Sequence, residues 1–120
     1  MMSVLGKEFY TRDTETVARE LLGKVLVRRL GDALLGGVIV ETEAYFGSED
    51  PSSRAFHGKK QYNSVMFAEP GYLFIYNVHQ YWMLNFIAHD NGVGGILVRA
   101  IEPTMGIEIM QGNRPVKQLT

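Results

Sequence analysis

The apolar residues of this chain come in short runs, each rich in Val, Ile, Leu, Tyr or Phe and each closed by Gly, Asp or Pro. Runs of that length, punctuated that often, suit strands joined by turns better than long helices. Residues 24–30 read as a strand, Gly31-Asp32 as a turn, and 34–45 as a second strand antiparallel to the first. Pro70-Gly71 is a turn, and 72–78 and 81–88 read as two aromatic-rich strands of a hairpin. Only His79-Gln80 separates them, a poor match to the Asn-Gly or Asp-Gly usual in tight hairpins. The 90–95 segment, Asp-Asn-Gly-Val-Gly-Gly, is a strong turn before a last strand at 96–101, which Glu102-Pro103 is expected to end.

Helices fill little of the remainder. Residues 13–23 predict one, with Asp13 as its N-cap, Gly23 as its stop, and Val17, Ala18, Leu21 and Leu22 as its apolar stripe. A second is expected over 104–111, capped by Thr104. Residues 46–63 carry Gly, Ser, Pro and charge without a period and read as a long loop, of the kind that is functional or disordered. The expected class is α+β: a curved, mainly antiparallel sheet with short flanking helices, forming one domain over 1–120.

Charge and composition narrow the chemistry. The net charge is -1, so a nucleic-acid contact has to come from a local basic patch. The chain has no cysteine, which removes disulfides, thiolate nucleophiles and cysteine-type zinc sites. His57, His79 and His89 lack metal-ligand spacing, and no Gly-rich phosphate loop follows a strand, so neither a metal nor a cofactor is expected. No apolar run approaches the length of a membrane span, and the N-terminus lacks a signal-peptide core. An intracellular protein with no membrane partner is the expectation.

The stretch Val38-Ile-Val-Glu-Thr-Glu-Ala-Tyr45 says most about chemistry. Alternate residues of a strand share a face, so Val38, Val40, Thr42 and Ala44 are expected toward the core. Ile39, Glu41, Glu43 and Tyr45 then line the other face. A carboxylate beside an aromatic ring can orient a water and take its proton. The same spacing also describes a solvent-facing strand with two exposed glutamates. Arg99 interrupts the apolar strand at 96–101 and, if buried, needs a carboxylate such as Glu43 or Glu102. The alternative is an arginine facing outward from a sheet edge. The loop containing Arg54, His57, Lys59 and Lys60 mixes cations with aromatics, as suits phosphates and stacked bases, or an ordinary solvated loop. Of the aromatic cluster Tyr72, Phe74, Tyr76, Tyr81, Trp82 and Phe86, most read as core. Tyr76, with His79 at the hairpin tip, is placed to reach into a duplex.

In order along the chain stand "LLGKVLVRRL", "GGVIVETEAY", "GSEDPSSRAFHGKK", "NSVMFAEPGYLFIY", "MLNF" and "GGILVRAIEP". This succession, over roughly residues 9–114, resembles the 3-methyladenine (alkyladenine) DNA glycosylase family. The resemblance implies a monofunctional base-excision enzyme acting on damaged double-stranded DNA. Such an enzyme flips out an alkylated or deaminated purine, 3-methyladenine or hypoxanthine, and hydrolyses its N-glycosidic bond. By position, Glu43 matches the general base and Arg99 the arginine that helps hold the water. Tyr45 and Tyr76 match the aromatics around the flipped base, and Asn85 a pocket asparagine. His79, His57, Lys59, Lys60 and Tyr81 are the DNA-contacting candidates.

Three positions depart from the family pattern. Arg54, a base-pocket candidate, stands where a stacking histidine is common, His79 where a wedge tyrosine is common, and Tyr62 where an arginine is usual. His57 is the candidate replacement for that histidine. Family members also continue past the segment matching "KQLT", into a part that closes the core. The expectations that follow are a C-terminally truncated domain, or a homodimer if the short chain completes its core that way. A non-catalytic nucleic-acid-binding module on the same scaffold and a structural protein without DNA affinity are the competing readings.

Overall fold

The computed structural model describes residues 4–46, 67–78 and 81–113. In chain order come α1 (Lys7–Tyr10), α2 (Thr14–Leu21), β1 (Val25–Leu30), β2 (Ala33–Tyr45), β3 (Leu73–Val78), β4 (Tyr81–Ile87), β5 (Gly95–Met105) and α3 (Ile107–Asn113). The five strands form one curled antiparallel sheet in the order β1-β2-β5-β4-β3. The expected α+β class and the expected hairpins are both present, whereas the four-residue α1 was too short to show a period. Of the expected loop at 46–63, all but Phe46 lies outside the described residues.

The helix-facing side of the sheet holds the core. Asp13 caps α2 through its Oδ2, which accepts the Thr16 N–H at 3.0 Å. Leu22 is extended and Gly23 takes φ +89°, so the helix stops where the left-handed glycine allows a sharp exit. Val17, Ala18 and Leu21 of α2 pack with Tyr10, Ile39, Ala88 and Ile96. Val17 and Ile96 are fully buried, and each such side chain contributes roughly 1.5–3 kcal/mol of apolar burial. Two threonine hydroxyls fasten the helix to its surroundings. Thr14 donates to the Ala88 carbonyl at 2.8 Å, and Thr42 donates to the Ala18 carbonyl at 2.9 Å. Tyr10 of α1 adds a ring stacked on Phe86 at 5.3 Å.

The centre of the sheet is the pairing of β2 with β5, and here the expected face assignment needs correction. Ile39 is buried at 2% exposure and Val40 is exposed at 37%, the reverse of a strict alternation. The register runs Ile39↔Ile101, Glu41↔Ala100 and Thr42↔Val98, with irregularities on both sides of Glu41. Val40 and Arg99 therefore have no Cα partner in the ladder. Two residues of each strand, Val40 and Glu41 against Arg99 and Ala100, fill the irregular stretch, so the same face returns after three positions instead of two. Ile39, Thr42 and Ala44 consequently point to the helices from β2, and Ile96, Val98 and Ile101 do so from β5. The outward placement of Glu41, Glu43 and Tyr45 survives: Glu41 and Glu43 both meet Arg99, and from Thr42 onward the alternation is regular.

The end of β5 also departs from expectation. Glu102-Pro103 does not end the strand, which continues to Met105, and Thr104 belongs to that strand instead of capping a helix. Pro103 is tolerated because β4 accompanies β5 only along residues 95–97, and Pro103 itself faces Gly37 beside a register shift. The chain turns at Gly106, φ +67°, and α3 starts at Ile107. Gly36 and Gly37 let the backbones of β1, β2 and β5 meet closely: a Cβ on Gly37 would collide with the Glu102 carbonyl.

Two substitutions test these contacts. Gly37→Ala should lower the urea midpoint, with a loss of about 1–3 kcal/mol from overpacking against backbone that cannot rotate away. Asp13→Ala should cost about 1 kcal/mol through loss of the α2 cap. An unchanged midpoint for Gly37→Ala would contradict the close β2–β5 approach.

Candidate active site

Four strands bring the site together. Direct partners in an antiparallel ladder share a face, and one row runs Glu43, Leu97, Asn85, Phe74 across β2, β5, β4 and β3. A second row carries Tyr45, Gly95 and Ile87. Gly95 adds no side chain between Tyr45 and Ile87. Leu97 and Ile87 are buried at 3% and 0% exposure, so the polar groups of this face rest on an apolar floor.

Glu43 sits at the focus of the cluster. Its Oε1 accepts from Arg99 Nη1 at 2.9 Å, and its Oε2 accepts from the Tyr45 hydroxyl at 2.6 Å. Both are charge-assisted bonds, and together they fix the rotation of the carboxylate. The Glu43 side chain remains 35% exposed, so the carboxylate is held yet reachable from solvent. An ionised carboxylate offers about four lone-pair positions, so two donors leave acceptor capacity for a water.

Arg99 is not buried as its apolar strand suggested it could be: its side chain is 60% exposed. Of the two partners considered from sequence, Glu43 is the one it binds. Its Nε also meets Glu41 Oε2 at 3.2 Å, a contact that sequence reasoning did not assign although Glu41 stands two residues from Glu43 on the same face. One cation thus lies between two carboxylates.

Tyr45 is pushed up to about 12, first by burial, then by the hydrogen bond it gives Glu43 and the charge of that carboxylate, with Arg99 pulling the other way. It therefore remains a hydrogen-bond donor throughout the neutral and mildly alkaline range. Tyr76 is near enough to act electrostatically on Tyr45, and its ring lies 5.1 Å from that of Phe74. The structure thus brings Glu43, Arg99, Tyr45 and Tyr76 to one region. Asn85 is buried at 4% exposure, and its amide nitrogen donates to the carbonyls of Phe74 at 3.2 Å and Met83 at 3.4 Å. Its side chain is thereby locked to the hairpin backbone.

Other candidates fall elsewhere. Arg54, His57, Lys59, Lys60, Tyr62 and His79 lie outside the described residues, and for Tyr81 only the backbone pairing with Val78 is described. His89 is a structural residue: buried at 8% exposure, it bonds the Ala68 carbonyl at 2.8 Å and accepts the Gly92 N–H at 3.2 Å. Among the described residues no three His, Cys, Asp or Glu side chains are grouped to hold a metal, and no helix is long and apolar enough to cross a membrane.

Comparison with known proteins points the same way as this geometry. A sequence model of the family described as methylpurine-DNA glycosylase matches residues 8–120. A Clostridium perfringens (strain 13) protein named "Putative 3-methyladenine DNA glycosylase" is 50% identical over 109 residues, covering 88% of this chain and 53% of its own length. Proteins of the same name from Koribacter versatilis and Methanocella arvoryzae are each 44% identical, covering 97% and 95% of this chain and 57% and 58% of theirs. The chain thus spans a little over half the length of these curated relatives. With nearly its whole length matched, the chain belongs to the methylpurine-DNA glycosylase family.

Proposed function

We propose that this chain carries the catalytic face of a DNA repair glycosylase. In this reading it takes a damaged purine nucleotide, alkylated or deaminated, out of double-stranded DNA and hydrolyses its N-glycosidic bond. The observation that carries the reading is the Glu43 carboxylate, oriented at one oxygen by Arg99 and at the other by Tyr45, on a partly open face.

The chemistry follows from that arrangement. Glu43 accepts a hydrogen bond from a water and takes its proton as the oxygen attacks the sugar C1′. The C1′–N bond breaks, and its electron pair leaves with the base. The sugar passes through an oxocarbenium-like state, which a nearby carboxylate stabilises electrostatically. An alkylated purine is positively charged in the duplex and leaves neutral, so it departs readily. Tyr45 and Tyr76 are the aromatic surfaces for the flipped base, and a cationic base gains from their ring faces. Asn85, fixed on the hairpin backbone, is the candidate that discriminates among purines. Arg54 is the further base-pocket candidate, and His57, Lys59, Lys60, His79 and Tyr81 are the proposed contacts to DNA. The family membership supports DNA as the partner, and no cofactor enters this scheme.

The decisive test is base release from duplex DNA bearing a single hypoxanthine or 3-methyladenine. Release by the parent and at least about a 100-fold loss in Glu43→Gln are expected, the scale of removing a general base. A folded parent that binds the duplex without releasing base would favour the non-catalytic nucleic-acid module. Binding itself should weaken steeply with added salt, because phosphate contacts release counterions. A salt-independent affinity, or none, would remove DNA as the partner.

The Tyr45 hydrogen bond makes a separate prediction. A tyrosine whose folded value is raised to about 12 adds stability that is complete below its ordinary value near 10. That stability is lost as pH rises through the folded value. Ultraviolet titration of tyrosinate should therefore show one tyrosine ionising well above the others, and Glu43→Gln should bring it down. No change in that late transition would contradict the Tyr45–Glu43 bond.

A further inference from the structure

We infer that Glu41 is a positioning residue for this site, acting on Glu43 through Arg99; the inference rests on the base-excision reading of Glu43. The Glu41 and Arg99 side chains are 56% and 60% exposed. An ion pair that open contributes little to folding, so stability does not account for it. What the pair does is geometric. Arginine is long and rotamer-rich, and a single contact from Nη1 to Glu43 leaves the guanidinium free to swing about that bond. The second contact, Nε to Glu41 Oε2 at 3.2 Å, fixes the group at another point of its plane. Two anchors on one planar cation set both its position and its tilt, and hence the direction from which it meets Glu43 Oε1 at 2.9 Å.

The backbone is built to permit this. Arg99 has no partner in the β2 ladder and lies between Ala100, opposite Glu41, and Val98, opposite Thr42. The register is the same on both sides of this irregularity and sets Arg99 near Glu41 and diagonal to Glu43. From that position its long side chain reaches both Glu41 and Glu43. Glu41 also takes part of the Arg99 charge, so Glu43 is not its sole counter-ion and keeps a free edge for water.

The role asks for a negative charge facing Arg99 Nε, so removal and conservative replacement should differ. Glu41→Ala is expected to slow single-turnover base release from a hypoxanthine duplex about tenfold, the scale of a modest misplacement near the reacting atoms. DNA affinity should stay within twofold. Glu41→Asp, which keeps the negative charge on that face, should recover part of that loss. The 15N resonance of the Arg99 Nε–H, assigned by its disappearance in Arg99→Lys, should shift in Glu41→Ala and move back toward its parent position in Glu41→Asp. A rate in Glu41→Ala within twofold of the parent overturns the inference, as does an unchanged Arg99 resonance. If parent and Glu43→Gln release base equally, or neither releases any, the base-excision reading fails by itself. The Arg99 resonance then decides on its own whether Glu41 positions the guanidinium.

Discussion

The structure hangs on the pairing of β2 with β5. This ladder carries the helix-facing core through Ile39, Ile96 and Ala44, and it carries Glu43, Tyr45 and Arg99 on the opposite face. Gly36 and Gly37 bring its backbones close, and the threonine hydroxyl of Thr42 ties it to α2. Whatever disturbs the register disturbs packing and site together, because a slip of one residue moves every side chain to the other face.

Within that ladder the irregularity around Glu41 and Arg99 does two jobs. It turns Ile39 and Ile101 toward the helices, while Val98 and Thr42 also face them. It also leaves Arg99 without a ladder partner, and the side chain meets two glutamates. An exposed arginine in an otherwise apolar strand is poorly explained by core packing, and well explained by a carboxylate that needs a fixed donor. Tyr45 completes the arrangement from the same strand, and its raised ionisation keeps the hydroxyl protonated beside the carboxylate.

The site is also a statement about what a small domain can hold rigidly. Leu97 and Ile87 form an apolar floor, and Asn85 is bound to the β3 and β4 carbonyls. Groups with that support lose little freedom when a ligand arrives, which is the condition for electrostatic stabilisation without reorganisation. Glu43, Arg99, Tyr45, Tyr76 and Asn85 all fall within residues 8–120, which the family model matches.

Read alone, the sequence determined the strands, their turns, the capped helix and the outward row Glu41, Glu43, Tyr45, because period-two patterning, Gly and Asp signals are local properties. The resemblance in motif order singled out Glu43, Arg99, Tyr45, Tyr76 and Asn85, and the tertiary structure brings Arg99 and Tyr45 onto the two oxygens of Glu43. Local pattern went astray at Val40 and Ile39, at Pro103 and at Thr104. There the outcome depended on a bulge shared with a distant strand and on which edge of β5 is unpaired. The Glu41–Arg99 contact was likewise hidden. It joins residues 58 positions apart through a ladder irregularity, and only the pairing of two strands decides which side chains such an irregularity brings within reach.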